Sequence, residues 1–301
     1  MKKVIISGAT GAIGMALIRE LTEAGIGVLV LAREGSARND RLPRGPLVEV
    51  RYCALEELSS LENEKNEKYD AFYHFAWDGT FGASRNDMYL QNRNVKYALD
   101  AVHAAKRFGC DVFIGAGSQA EYGRVEGLLK PDTPTRPEMG YGMGKLVAGM
   151  MTREEAHALG MRHVWVRILS IYGPFDGAGS MVMSTVNKLL AGERPQFTKG
   201  EQLWDYLYSG DAATALRLLA EKGRDGAVYP LGSGVARPLR EYIEALRDVV
   251  APDFDLTFGE VPYGARQVMH LQADVSDLRR DTGWEPKQDF KAGIAEILKH
   301  L

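Results

Sequence analysis

The stretch that decides the fold lies near the start of the chain and runs Val4-Ile5-Ile6-Ser7-Gly8-Ala9-Thr10-Gly11-Ala12-Ile13-Gly14. Residues 4–6 form a short apolar run typical of a buried strand, and apolar residues then recur at helical spacing. A strand, a glycine turn and a helix in this order are the setting of a dinucleotide-binding fingerprint. The glycines let the backbone approach a pyrophosphate, and the helix N-terminus offers free N–H groups. We therefore expect a dinucleotide along Gly8, Thr10, Gly11, Ala12, Ile13 and Gly14, the alternative being a flexible turn at a helix start.

A second motif, Tyr141-Gly142-Met143-Gly144-Lys145, combines a phenol with an amine. Residues four apart on a helix share one face, so Lys145 can act on Tyr141 from the next turn. A phenol with a free pKa of ~10 exchanges protons poorly at neutral pH, and a nearby ammonium favours the phenolate and lowers that pKa. The pair therefore predicts a proton relay, and the alternative is a Tyr/Lys pair on a solvated helix.

Strand-like and helix-like runs alternate through the first half of the chain. Buried strands are predicted at 28–31, 48–50, 71–75, 112–114 and 164–168, and long helices at 88–108 and 142–159. This alternation predicts an α/β fold with a Rossmann-like, doubly wound parallel sheet. The second half is interrupted by glycine and proline and mixes short elements, and residues around 209–221 and 228–231 are expected to return to the sheet.

Composition excludes several classes of function. The 301 residues are 45% hydrophobic and 26% charged with a net charge of −3, as in an ordinary globular protein. This charge gives no reason to expect a nucleic acid or a membrane surface as partner, and no apolar run approaches the ~20 residues of a membrane span. The start of the chain has too short an apolar stretch for a signal peptide. Cys53 and Cys110 lack metal-ligand spacing, so we expect free thiols, no metal site and a cytoplasmic location.

The glycine spacing together with Tyr-x-x-x-Lys resembles the short-chain dehydrogenase/reductase superfamily. The length and downstream motifs resemble its extended branch, the NAD(P)-dependent epimerase/dehydratase family of nucleotide-sugar epimerases, dehydratases and ketoreductases. The resemblance covers nearly the whole chain and is strongest at 4–14, 72–76, 94, 115–123, 141–145, 167–174 and 204–211. It implies an NADP-binding domain at 1–171 with a return segment at about 207–232, and a smaller C-terminal α+β substrate lobe at 172–206 and 233–301. It also implies a homodimer formed through the two long helices.

The end of the second predicted strand bears on the choice of cofactor. NAD sites often carry an acid there for the ribose 2′-hydroxyl, whereas NADP sites carry an arginine. This strand ends Val30-Leu31-Ala32-Arg33, and Arg33 offers a planar fork to a phosphate. We expect NADP(H) rather than NAD, the alternative being a solvated Arg33. The resemblance adds Phe75, Ala76 and Ile168 as cofactor contacts, whereas its usual adenine-binding Asp is missing at 52–55 and His74 is expected to be structural.

The resemblance assigns the catalytic roles. In Gly115-Ala116-Gly117-Ser118-Gln119-Ala120-Glu121-Tyr122-Gly123, Ser118 matches the family residue that binds the substrate oxygen, and Asn94 matches one that braces the active-site backbone. Dehydratases of the family carry an acid pair after that Ser or Thr, but Gln119 and Ala120 cannot act as general acids. Glu121 is expected to face the other way on a strand-like segment. We therefore expect hydride transfer without dehydration.

Several residues match the family's substrate-binding positions. Trp204 replaces the usual Arg of an Arg-Asp-Phe segment, and Arg266 resembles an Arg that clamps the diphosphate, its alternative being a surface arginine. Asp211 is expected to cap a helix. The residues expected to contact a nucleoside-diphosphate sugar are therefore Gln119, Trp77, Trp204 and Arg266.

These observations lead to one preferred function and two rivals. The preferred function is NADPH-dependent reduction of a 4-keto nucleoside-diphosphate sugar, in the manner of ketoreductases of the CDP-abequose synthase type, with Tyr141 as proton donor. An NAD-dependent nucleotide-sugar 4-epimerase is the enzymatic rival. A non-catalytic NADP-sensing regulator is the other rival, although it would not need Ser118, Tyr141 and Lys145 together.

Overall fold

The computed structural model describes residues 1–301 and contains eleven strands and eight α-helices. The strands are β1 (Lys3–Ser7), β2 (Gly27–Ala32), β3 (Val48–Tyr52), β4 (Ala71–His74), β5 (Val112–Ser118), β6 (Arg162–Ile168), β7 (Ser170–Tyr172), β8 (Leu203–Trp204), β9 (Tyr206–Tyr208), β10 (Ala227–Leu231) and β11 (Arg237–Pro238). The helices are α1 (Ala12–Glu23), α2 (Met88–Arg107), α3 (Gly140–Ala158), α4 (Met181–Leu190), α5 (Ser209–Lys222), α6 (Leu239–Val250), α7 (Ser276–Thr282) and α8 (Phe290–Leu298). None of the helices is both long and apolar enough to cross a membrane.

Seven strands form one sheet in the order β10-β6-β5-β4-β1-β2-β3, and every neighbouring pair is parallel. The predicted Rossmann-like, doubly wound fold is therefore confirmed. The strand order reverses beside β1, so the loops after β1 and β4 diverge there and leave a crevice at the carboxyl ends of the strands. The return of the chain to the sheet is also as predicted, since β10 pairs with β6.

The two faces of the sheet bury separate apolar clusters. Val4 and Ile6 of β1 pack with α1 and α5, whereas Ile5, between them, packs with α2 on the opposite face. This follows from the alternation of side chains along a strand, and burial on both faces explains why the strands are continuous apolar runs. A third, smaller cluster joins α4, α6 and α8 around Tyr172, outside the sheet.

Three short 3₁₀ turns lie in the segments around the site. Residues Ala37–Arg41 follow β2, Gly82–Asn86 precede α2, and Gln119–Glu121 follow β5. The last of these differs from the sequence prediction, which treated the segment as strand-like. Strand β5 ends at Ser118 because the Ser118 hydroxyl accepts the Ala120 N–H and starts a turn.

Candidate active site

The glycine turn after β1 is shaped by close backbone approach. Gly8 has φ +77°, and a Cβ there would lie 2.4 Å from the Ala76 nitrogen. A Cβ on Gly14 would lie 2.5 Å from the Ala9 backbone. At Gly11, by contrast, a Cβ would meet nothing within 4 Å, and Gly11 begins α1 without any side-chain cap. The turn therefore leaves open space beside uncapped N–H groups, which fits the pyrophosphate of a dinucleotide.

The cleft next to this turn has a volume of about 450 Å³ and continues across the ends of β2 and β3. Its lining includes Gly8, Thr10, Arg33, Arg38 and Ala76. Arg33 and Arg38 are exposed, and neither makes an ion pair in the structure; Arg33 only accepts, through its carbonyl, a hydrogen bond from Asn39. The guanidinium groups are thus free for a phosphate at the position where the ribose 2′ substituent of a dinucleotide is read.

Tyr141 and Lys145 are positioned by the start of α3. This helix begins at Gly140, so Tyr141 lies in the first turn and Lys145 one turn later. Lys145 is buried, its Nζ donates to the Ala116 carbonyl at 2.8 Å, and the same atom lies 3.8 Å from the centre of the Trp77 ring. Burial lowers the pKa of Lys145 to about 7, against the Glu121 carboxylate, which raises it. The ammonium is therefore poised near neutral pH.

The protonation of Tyr141 differs from the sequence expectation. Burial raises the pKa of Tyr141 above its ordinary value and outweighs a hydrogen bond with Ser118 and the charge of Arg85, which both lower it. We expected a lowered pKa for Tyr141, whereas the structure gives a raised one; the influence of Lys145 on this pKa stays a prediction. The structure nevertheless brings Ser118, Tyr141 and Lys145 together at one end of β5.

Helix α2 holds the loop that lies over the catalytic pair. Asn94 accepts the Asp78 N–H at 3.1 Å and donates to the Asp78 carbonyl at 2.8 Å, so it braces backbone rather than pointing at a substrate. Gln91, one turn earlier, accepts the Trp77 indole N–H at 2.8 Å and donates to the Gly79 and Ser84 carbonyls. Sequence reasoning missed Gln91, although its spacing from Asn94 places both on one helix face.

Glu121 is held beneath the end of β5 and is fully engaged there. Its buried carboxylate accepts the Ser118 N–H at 2.8 Å and the Trp165 indole N–H at 3.0 Å, and pairs with Arg167 at 2.7 Å. The segment turns after Ser118 instead of continuing as a strand, which swings Glu121 beneath β5. The alternation Trp165–Arg167 along β6 puts both donors on the face that receives this carboxylate.

The remaining predicted residues lie around this centre. Phe75 follows β4 and donates its N–H to Ser7, and Ile168 ends β6 opposite Ser118. Gln119 is half-buried in the turn after Ser118. The Trp204 indole donates to Ser170 at 2.8 Å, close after β6. Arg266 is exposed and reaches the Glu138 carbonyl at 3.4 Å, beside the entry to α3.

Two further residues have structural contacts. The expectation that Asp211 caps a helix is wrong. Its carboxylate accepts the backbone N–H groups of Lys287 and Gln288 and so connects α5 to the C-terminal segment. His74 is buried against the Ser7 hydroxyl at 2.8 Å, and burial lowers its pKa to about 3, which keeps the imidazole neutral. No group of three or more His, Cys, Asp or Glu side chains is arranged to hold a metal ion.

A glycine-turn cleft beside a Ser-Tyr-Lys constellation defines an NAD(P)-dependent oxidoreductase of the extended short-chain dehydrogenase/reductase type. Residues 4–232 match the NAD dependent epimerase/dehydratase family, and the chain belongs to this family. The resemblance inferred from the sequence motifs is thereby confirmed.

Relatives with different reactions match the chain over its length. UDP-glucose 4-epimerase of Azospirillum brasilense is 28% identical, covering 97% of this chain and 89% of the relative. CDP-abequose synthase of Salmonella typhimurium is 24% identical, covering 99% and 98%. The solved UDP-glucose 4-epimerase of Thermotoga maritima with UDP-glucose superposes with a TM-score of 0.87 at 22% identity, covering 99% and 98%. Other neighbours of the same fold were solved with NAD. At such identity the structural likeness supports the fold alone.

Proposed function

We propose that the protein reduces a 4-keto nucleoside-diphosphate sugar with NADPH. The observation that carries the proposal is the pair of free guanidinium groups, Arg33 and Arg38, on the cleft beside the glycine turn. Trp77, which also lines this cleft, packs against Tyr141 and Lys145. The 2′-phosphate of NADPH is bound by a cation of this kind. A net reduction also consumes the cofactor, which suits NADPH that is bound and released at each turnover. Similarity to CDP-abequose synthase over the whole chain is consistent with this activity.

Separate residues would bind the cofactor and transfer the proton. The turn from Gly8 to Gly14, with Phe75, Ala76 and Ile168, would hold the cofactor, which supplies a hydride when bound. Ser118 Oγ fixes the carbonyl oxygen, and Tyr141 Oη gives it the proton as the alkoxide develops. Lys145, one turn after Tyr141, would hold the cofactor ribose with its ammonium group. Asn94 keeps the backbone of the loop above them in place.

Dehydration is not part of this proposal. Elimination of water from the hexose needs a general acid and a base next to Ser118, and Gln119 and Ala120 supply neither. Glu121, the nearest carboxylate in sequence, is engaged below the strand by three donors, one of them the Arg167 guanidinium. In this proposal, proton transfer to the substrate is therefore carried out by Tyr141.

The nucleotide-sugar would lie between the sheet and the C-terminal elements. We assign residues 1–171 with 207–232 to cofactor binding, and 172–206 with 233–301 to the substrate lobe. Gln119, Trp77 and Trp204 would contact the sugar, and Arg266, exposed beside α3, would reach a phosphate. A diphosphate is the substrate group that a free arginine fork recognises best.

We also propose a homodimer and a cytoplasmic location. Helices α2 and α3 carry a cluster of exposed apolar side chains that a second copy would cover: Met88, Tyr89, Met143, Val147, Met150 and Met151. Cys53 and Cys110 are both free and buried, as suits a reducing compartment.

A second function, nucleotide-sugar 4-epimerisation with retained NAD, is favoured by the 28% identity to the Azospirillum epimerase. The two reactions are separated by one experiment. The protein is incubated with NADPH and a panel of 4-keto nucleoside-diphosphate sugars, and separately with UDP-glucose and NAD. NADPH oxidation that depends on a 4-keto sugar supports the reductase. Formation of the C4 epimer from UDP-glucose without net cofactor turnover contradicts it.

A further inference from the structure

Arg85 is a cation at the active site to which none of the motifs assigned a role. Its guanidinium carbon lies 4.4 Å from the centre of the Tyr141 ring, within the range of a cation–π contact. Lys145 Nζ lies farther from that ring, at 5.9 Å. Arg85 is therefore the cation nearest to the ring of the proposed proton donor.

No carboxylate neutralises Arg85. Its Nη1 donates to the Thr80 carbonyl at 2.9 Å, and its Nε and Nη2 both contact the Met139 sulfur at 3.3 Å. All of these acceptors are neutral, so the half-buried guanidinium of Arg85 keeps its full positive charge. An unpaired charge in a partly dry site acts more strongly on a neighbouring ionisable group than a solvated one does.

The turn that carries Arg85 is fastened directly to the helix that carries Tyr141. Asn86 accepts the Gly140 N–H at 3.1 Å at the first turn of α3, where Met139 gives no side-chain cap. A Cβ on Gly140 would lie 3.1 Å from the Arg85 carbonyl, so the two backbones are in close contact. From the other side, Gln91 of α2 donates to the Ser84 carbonyl at 3.0 Å. Arg85 and Tyr141 are thus held in a fixed relation.

We propose that Arg85 is a positioning residue that stabilises the phenolate of Tyr141 through its charge, an inference that rests on Tyr141 being the proton donor. Four groups face Tyr141: Arg85 from the 3₁₀ turn, Lys145 from α3, and Ser118 and Glu121 from the end of β5. Lys145 loses its proton near neutrality, and Glu121 disfavours the phenolate. Arg85 is the one member of this set that stays cationic throughout the working pH range. Its charge acts against the burial that raises the pKa of Tyr141.

The proposal is tested by titrating residue 141 itself. Difluorotyrosine, a more acidic phenol than tyrosine, is incorporated at position 141, and its pKa is followed by fluorine NMR with and without NADP⁺. We expect Arg85→Met to raise this pKa by about 1 to 2 units, the size typical of losing an opposite charge at this distance. Arg85→Lys should restore most of the shift because it keeps the charge. Arg85→Gln replaces Arg85→Met if the latter fails to fold.

Arg93→Met is the matched control, because it removes an exposed arginine of α2 by the same substitution. It should leave the pKa of residue 141 unchanged. An unchanged pKa in Arg85→Met, or an equal rise in Arg93→Met, overturns the proposal. The titration needs no turnover, so it can fail while the reductase assay succeeds, and the reverse. In that assay Arg85→Met should lower kcat by up to about tenfold with KM unchanged. A raised KM with normal kcat would instead make Arg85 a substrate-binding residue and contradict the proposal.

Discussion

Glu121 and Arg167 form a buried ion pair, 2.7 Å between Oε2 and Nε, directly below Ser118. The carboxylate also holds the Ser118 backbone and the Trp165 indole. The pair lies deep in the protein and has no solvent to replace a lost partner. It therefore fixes the point at which β5 turns into the active site.

Removing the Glu121 carboxylate should destabilise the fold strongly. Glu121→Ala leaves the Arg167 charge and two buried donors without a partner, which costs about 3–5 kcal/mol of the free energy of unfolding. Urea denaturation measures this cost. As a control, Glu23→Ala breaks the exposed pair with Arg19 and should change stability by less than about 0.5 kcal/mol. Equal effects of the two substitutions would show that the buried pair has no special weight.

Lys145 should make stability depend on pH. Its ordinary pKa of 10.5 applies to the unfolded chain, and burial lowers the pKa to about 7 in the fold. Between these values the unfolded state binds the extra proton, so the free energy of unfolding rises with pH, by at most about 1.4 kcal/mol per pH unit. Lys145→Met should lack this rise in the free energy of unfolding, whereas the control Lys106→Met, at an exposed lysine, should retain it. Parallel pH curves for wild type and Lys145→Met would refute the assignment.

Arg33 should select the cofactor. Arg33→Ala removes a charge-assisted contact to the 2′-phosphate worth about 1.5–3 kcal/mol, so NADPH affinity should fall roughly ten- to a hundred-fold. NADH affinity should hardly change, because its ribose carries no phosphate. Fluorescence titration with both cofactors decides this. Wild-type protein that binds NADH as tightly as NADPH would remove the main support for a reductase over an epimerase.

Tyr141 should be required for turnover and dispensable for cofactor binding. Tyr141→Phe keeps the ring that packs against Trp77 and Arg85 but loses the proton, which should lower kcat by about 10²–10⁴-fold. Ser118→Ala should lower kcat by about 10²–10³-fold through loss of a donor to the alkoxide. Both are measured by NADPH oxidation, with folding checked by circular dichroism. A Tyr141→Phe enzyme that keeps more than about a tenth of the wild-type rate cannot have used Tyr141 as its acid.

Two glycines of the turn after β1, Gly14 and Gly11, should affect different properties of the protein, stability and cofactor binding. Gly14→Ala forces a Cβ to within 2.5 Å of the Ala9 backbone and should cost about 1–3 kcal/mol of stability. Gly11→Ala places its Cβ in open space, so stability should hold while dinucleotide binding weakens. Thermal unfolding and cofactor titration of both variants give the comparison. Loss of stability in Gly11→Ala would mean that the space is needed by the protein itself.

The sequence by itself determined the features that depend on local spacing. Residues 4–14 specify a strand, a turn and a helix through their own periodicity, and the parallel sheet follows from repeating that unit. Tyr141 and Lys145 needed only helical geometry to be placed on one face. These patterns are readable because each depends on neighbours within a few residues of the chain.

Only the tertiary structure decided the electrostatics of the site. Arg85, Glu121 and Arg167 come from separate elements, and no local pattern indicates that they meet around Ser118 and Tyr141. Residues Gln119–Glu121 form a turn instead of the expected strand-like segment, and Asp211 anchors the C-terminal segment instead of capping a helix. The pKa of Lys145 falls because packing removes water from its ammonium, and burial is a property of the folded chain rather than of any one segment.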